Sequence, residues 1–309
     1  MAVRSAYLAA EGFEAPLAEE LARRGASVEA WHGRLALSPD PPVPAAWALN
    51  TWTAPEAIPI ASIGEAAKRL RALGRNWAAY APAHYRRAAL ITARLPHVSA
   101  KPLAFPAAAP ASPLGSFTLL EPWLLLASPA CTSPFPNGEA RFVEDREGPP
   151  SRAYLKLWEA LALWRRWPHP GETCLDFGAS PGGWTWALAR LGARVIAVDK
   201  APLEPAIAAM PGVTVLRQSA FAIAPERWRA ENGVADWLVC DVVAYPKRIL
   251  RLLRAWIAAG AARRIVCTLK FQGEGDHAVA DEAAAIPGAS VRHLWHNRHE
   301  LTVTWQSPG

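Results

Sequence analysis

The segment Leu175-Asp176-Phe177-Gly178-Ala179-Ser180-Pro181-Gly182-Gly183-Trp184 runs from an apolar stretch through a glycine-rich turn into the start of a helix. Glycines let a backbone turn tightly and approach a ligand with no side chain in between. The next apolar stretch, Arg194–Val198, leads to Asp199, an acid placed to accept hydrogen bonds from ribose hydroxyls. The dinucleotide form of this device is G-x-G-x-x-G, and this loop, G-A-S-P-G-G, lacks that spacing. S-adenosylmethionine (SAM) fits better, because it has no pyrophosphate to seat at a helix N-terminus. An ordinary strand–turn–helix with glycines for geometry is the competing reading, and Asp199 favours the nucleoside ligand.

Two further polar residues end apolar runs. Asp241 follows Trp237–Cys240, and Lys270 follows Ile265–Leu269. With Asp199 they form three polar strand ends, the edge where open α/β sheets bind ligands.

The elements that must position them alternate. Strands are expected at Thr173–Phe177, Arg194–Val198, Val213–Arg217, Trp237–Cys240, Ile265–Leu269, Ser290–Trp295 and Leu301–Trp305. Helices are expected at Arg152–Arg166, Trp184–Leu191, Pro246–Ala259 and near Ala278–Ala285. On Pro246–Ala259, Ile249, Leu250, Leu253, Trp256 and Ile257 share one face, with Arg248, Arg251 and Arg254 opposite. Such alternation implies a mostly parallel, doubly wound, Rossmann-like sheet.

The first half has a different grammar. It holds 19 of the 29 prolines, and the Gly148-Pro149-Pro150 stop suggests a smaller α+β domain over 1–148 followed by the α/β domain over 149–309. A strand at Ala6–Ala10, a helix at Ala15–Arg24, a strand pair within Ser27–Ser38 and a helix at Ile63–Leu73 are expected there. Lys101–Pro136 is proline-rich and carries no assignment.

Composition bounds the function classes. The 309 residues are 51% hydrophobic and 19% charged, which excludes a disordered chain. Four scattered cysteines without a C-x-x-C pair indicate neither a disulfide framework nor a zinc site, and no His/Cys/acid cluster suggests another metal. A reduced, cytoplasmic setting is the expectation. The opening apolar stretch is too short for an export signal, and prolines interrupt residues 102–120, so no membrane partner is expected. The net charge of +6 suits an anionic partner, with the excess in the second half. The 33 basic residues comprise 27 arginines and six lysines.

The glycine loop resembles that of the FtsJ/RrmJ-type SAM-dependent ribose 2′-O-methyltransferases, D-L-G-x-x-P-G-G-W. Pro150–Glu159 resembles the segment with that family's first catalytic lysine, here Lys156. Val239–Val242 resembles the aspartate motif, here Asp241; Cys267–Lys270 the second-lysine motif, here Lys270; and Arg298–Val303 the terminal glutamate motif, here Glu300. The resemblance covers the second half, with the K-D-K-E positions in order. Within the family it is nearest to enzymes that methylate a cytidine ribose of 23S ribosomal RNA and carry an N-terminal THUMP-like domain. The thinner first-half similarity rests on Tyr7–Glu14.

The resemblance implies SAM contacts at Ser151, Gly178, Ser180, Pro181, Gly182, Gly183, Trp184, Asp199, Ser219 and Asp241. Ser219 stands where those enzymes have an acid. The residue types suit the chemistry: a base for a hydroxyl must be able to lose its proton, which a lysine can do and an arginine cannot. Lys270 is assigned as the base, Lys156 as a positive field, and Asp241 and Glu300 as anchors for the ammonium groups. The expected partner is RNA, 23S ribosomal RNA or a large-subunit precursor, and a monomer is favoured. A methyltransferase for tRNA or another rRNA site, or a catalytically silent assembly factor, are the alternatives.

Overall fold

The computed structural model describes residues 2–271 and 277–308, and its chain divides into two compact units. The first comprises Met1–Leu103 with Ala109–Arg141; the second comprises Ala104–Ala108 with Phe142–Gly309.

The first unit is built on two four-stranded sheets. Strands β1 (Ser5–Ala9), β2 (Ala30–His32), β3 (Leu35–Ser38) and β4 (Ala48–Trp52) form an antiparallel sheet in the order β2-β3-β1-β4, with helix α1 at Glu14–Arg23. Strands β5 (Glu56–Pro59), β6 (Trp77–Ala79), β7 (Gly115–Glu121) and β8 (Leu124–Ser128) form the second sheet in the order β5-β8-β7-β6. Helices α2 (Ile63–Leu73) and α3 (Tyr85–Thr92) complete the unit. Ser62 caps α2 by accepting from the Glu65 amide at 3.1 Å. Ala66 and Leu70 of α2 and Ala88 and Ile91 of α3 share a core with Phe117, Leu119 and Leu125 of the second sheet. A separate core joins Leu126 of that sheet to Leu8, Leu35 and Trp52 of the first.

The second unit is a single seven-stranded sheet. Its strands are β9 (Thr173–Phe177), β10 (Arg194–Asp199), β11 (Val213–Arg217), β12 (Ala235–Cys240), β13 (Ala262–Lys270), β14 (Ala289–Arg292) and β15 (Glu300–Gln306). The order is β11-β10-β9-β12-β13-β15-β14, with β9 to β13 mutually parallel and β15 antiparallel to both neighbours. This is the expected mostly parallel α/β sheet, with every anticipated strand present. The order reverses between β9 and β12, and such a switch point leaves a crevice at the strands' carboxyl ends. Helices α4 (Tyr154–Trp164), α5 (Gly183–Arg190), α6 (Pro205–Ala208), α7 (Pro225–Asn232), α8 (Pro246–Ala258) and α9 (Ala278–Ala284) flank the strands, and α6 and α7 were not anticipated.

The Gly148-Pro149-Pro150 stop lies inside this unit, because the chain is captured earlier. Trp158 of α4 stacks on Phe105 at 4.9 Å and meets Phe142, Tyr154 and Trp186 edge-on or tilted. That aromatic cluster binds Ala104–Ala108 and the segment from Phe142 to the helix that carries Lys156. Trp158→Ala removes the shared ring of the cluster and should lower stability by about 3–5 kcal/mol. A fall in the denaturant midpoint at unchanged m-value checks this.

Candidate active site

Four elements bring the expected K-D-K-E residues together. Asp241 follows β12 at the carboxyl edge, Lys270 ends the neighbouring β13, and Glu300 opens β15 as the register partner of Lys270. Lys156 sits in the first turn of α4. Its Nζ donates to Asp241 Oδ2 at 2.9 Å and to Glu300 Oε1 at 2.8 Å. Lys270 Nζ lies 3.0 Å from Asp241 Oδ1 and donates to the Asp241 main-chain oxygen at 2.8 Å.

These side chains are largely withdrawn from water, Lys270 being the most open at 17%. Burial alone would lower the Lys156 pKa, but Asp241 and Glu300 outweigh it and hold the ammonium above the ordinary lysine value. Burial likewise pushes the Asp241 carboxyl up, and Lys156 and Lys270 overcome it, holding the group below the usual carboxylate range. At neutral pH the cluster therefore contains a fixed ammonium and a fixed carboxylate.

Two supporting residues went unnoticed in the sequence. Thr268 donates to Asp241 Oδ1 at 2.7 Å. It lies two positions before Lys270 on one strand and so shares its face, which alternation could have revealed. Glu159 is 2% exposed and accepts from the Trp295 and His296 amides at 2.8 and 3.0 Å, with His296 Nδ1 2.7 Å away. It tethers the Lys156 helix to the loop leading into Glu300. A lone acid within the apolar run Leu157–Trp164 was its signal. His296 belongs to this tether.

The glycine loop follows β9 at the switch point. Asp199, at the end of β10, accepts from the Ser180 amide through Oδ2 at 3.0 Å and from the Ala201 amide through Oδ1 at 2.9 Å. A carboxylate has about four acceptor sites, so two remain for hydroxyls. Gly178 has φ +80°, and a Cβ there would lie 2.9 Å from the Val242 backbone. A Cβ on Gly183 would lie 2.6 Å from Ser151 Oγ, and one on Gly182 2.8 Å from Ile207. These glycines admit protein neighbours first. Trp184 is 3% exposed and its indole donates to the Ala153 carbonyl at 2.8 Å, which locks α5 to the start of α4. Ser180 Oγ donates to Pro202 O at 2.8 Å, and Ser219 Oγ accepts from the Phe221 amide at 3.3 Å. Pro181 is exposed at the tip of the loop. Among the described residues no three His, Cys, Asp or Glu side chains stand close enough to hold a metal ion.

Residues 149–263 match the family model described as FtsJ-like methyltransferase. The chain carries an FtsJ-like methyltransferase domain. Curated relatives named Ribosomal RNA large subunit methyltransferase M match across it. One from Halorhodospira halophila is 41% identical over 177 residues, 55% of this chain and 50% of the relative. One from Methylococcus capsulatus is 39% identical over 189 residues, 56% and 52% of the two chains. One from Laribacter hongkongensis is 36% identical over 200 residues, 59% and 55%. The chain spans about half the length of the curated relatives it matches.

Within the methyltransferase domain, Asp176 of the glycine motif is fully buried. Burial raises its carboxyl to about 7, opposed by the Thr185 hydroxyl, which donates to Oδ2 at 2.6 Å; Oδ1 has no partner. An acid with a raised folded-state pKa favours folding below its unfolded value, and that contribution is lost as pH rises toward the folded value. Between about pH 4 and pH 7, Asp176→Asn should therefore gain stability relative to the parent as the pH rises. Paired denaturation curves across that window check the sign.

Proposed function

We propose that this chain methylates a ribose 2′-oxygen of RNA using SAM, with a cytidine of 23S ribosomal RNA in the large-subunit precursor as the target. The observation that carries this reading is the single Asp241 carboxylate holding two lysines, one of them also bound to Glu300, at the carboxyl edge of a doubly wound sheet. The family model and the relatives' names support the same reaction class.

SAM, when bound, supplies a methyl carbon whose bond to sulfur breaks as the bond to ribose oxygen forms, the electron pair passing to sulfur. The residues that fit it are Asp199, with acceptor sites left for ribose hydroxyls, and the turn from Gly178 to Gly183. Ser151 and Ser219 stand by for polar contact, whereas Trp184 acts through packing.

The chain's own residues align and deprotonate the acceptor. Orientation of a hydroxyl against its target contributes a large share of such barriers. Lys156, kept protonated by Asp241 and Glu300, is unsuited to act as base and supplies a fixed positive charge. Lys270 Nζ is the more open amine and is the group assigned to receive the hydroxyl proton. Asp241 holds that nitrogen through both its side chain and its main chain. The first unit, in this reading THUMP-like, holds the RNA. A monomer in the cytoplasm suits the task.

The test is transfer of labelled methyl from SAM to fractionated RNA, followed by nucleoside identification. The expected product is 2′-O-methylcytidine in 23S RNA. The same mark in tRNA would move the substrate, and no transfer to any RNA would overturn the reading. Lys270→Ala should lose roughly 10²–10⁴-fold in kcat with SAM binding retained, and Lys270→Arg should not restore it, since arginine stays charged.

A further inference from the structure

The modest net charge of the first unit, +3, conceals a strong separation. Residues 63–101 contain eight basic residues (Lys68, Arg69, Arg71, Arg75, Arg86, Arg87, Arg94 and Lys101) and one acid, Glu65. Elsewhere in the unit five basic residues face nine acids. The positive charge thus sits on α2, α3 and the segments that follow them.

The fold turns it outward. Ala66, Leu70, Ala88 and Ile91 are spent on the core, leaving Lys68, Arg69 and Arg71 of α2 and Arg86 of α3 exposed, with Arg75 beyond α2 and Arg94 and Lys101 beyond α3. Carboxylates do not quench them: among the described residues only Arg69 has one within ion-pair distance, Glu65 at 4.0 Å. Tyr85, 67% exposed beside Arg86, offers a ring for stacking. A cleft at the C-terminal end of α2, lined by Gly74, Arg75, Asn76, His97, Ser112 and Pro113, opens beside the same charges.

We propose that the outer face of α2 and α3 is the RNA grip of the first unit, with Arg75, Arg86 and their neighbours on phosphates and Tyr85 against a base. The inference rests on RNA as the substrate, argued above. Six of the eight cations are arginines, whose planar fork matches phosphate oxygens. A lipid surface suits this face poorly, because a helix lying in a membrane must present a broad apolar face, and beyond the buried residues these two helices expose only Leu73, Tyr85 and Leu90 as large apolar side chains.

The test uses the full chain and fluorescein-labelled single-stranded RNA, titrated at several salt concentrations. In the variant Lys68→Gln/Arg75→Gln/Arg86→Gln/Lys101→Gln the plot of log affinity against log salt should become shallower by about 0.7 for each phosphate that is no longer neutralised. Affinity should fall about tenfold or more near physiological salt. The charge-keeping set Lys68→Arg/Arg75→Lys/Arg86→Lys/Lys101→Arg should retain both values, which separates removal of charge from disruption of the fold. Methyl transfer by the glutamine variant should show a raised KM for RNA with kcat unchanged. Parental affinity and salt slope in that variant would overturn the grip while leaving the methyltransferase reading intact, as would capture of phosphatidylserine vesicles in place of RNA. Absence of methyl transfer in the parent chain would instead strike the reading beneath it.

Discussion

One carboxylate holds apart from water what would otherwise repel. Asp241 accepts Thr268 and Lys270 on one oxygen and Lys156 on the other, while its main-chain oxygen takes Lys270 again. Two lysine side chains gathered at a sheet edge are tolerable only with such a counter-charge between them. Asp241 is therefore the point through which β12, β13 and α4 are registered against one another. Glu300 extends the network to β15, and Glu159 secures α4 from behind by accepting amides from the loop before that strand.

The network also gives two chemically identical side chains different surroundings. Lys156 lies between two carboxylates, which stabilise its charge. Lys270 meets one carboxylate and one carbonyl, at a more open position. The difference comes from placement, since one lysine stands on a helix between two strands' acids and the other ends a strand of its own.

Much of the second unit was legible in the sequence because buried parallel strands are apolar runs ending in polar residues. Asp199, Asp241 and Lys270 stood out for that reason. Lys156 and Glu300 did not, since their contact spans 144 residues and leaves no local trace; family resemblance alone pointed to them. Helix α6 has only four residues and α7 has Trp228 as its one large apolar side chain, so neither shows an apolar period. In the first unit, prolines read as breakers concealed β7 and β8, which run between Pro113, Pro122 and Pro129. Pro59 ends β5, an edge strand, where a missing amide is tolerated. The motif glycines pointed toward a ligand, while their nearest neighbours proved to be Val242, Ile207 and Ser151.

The pairing of Lys270 with Glu300 across β13 and β15 bears on the order in which the molecule matures. A strand inserted between β13 and β14 late in the sequence supplies the fourth member of the cluster, and its contact with Lys156, 144 residues away, is slow to form. A nascent chain ending before residue 300 contains β9 to β13 but leaves Lys156 with Asp241 alone of its two carboxylates. Completion of the four-residue cluster thus coincides with completion of the sheet.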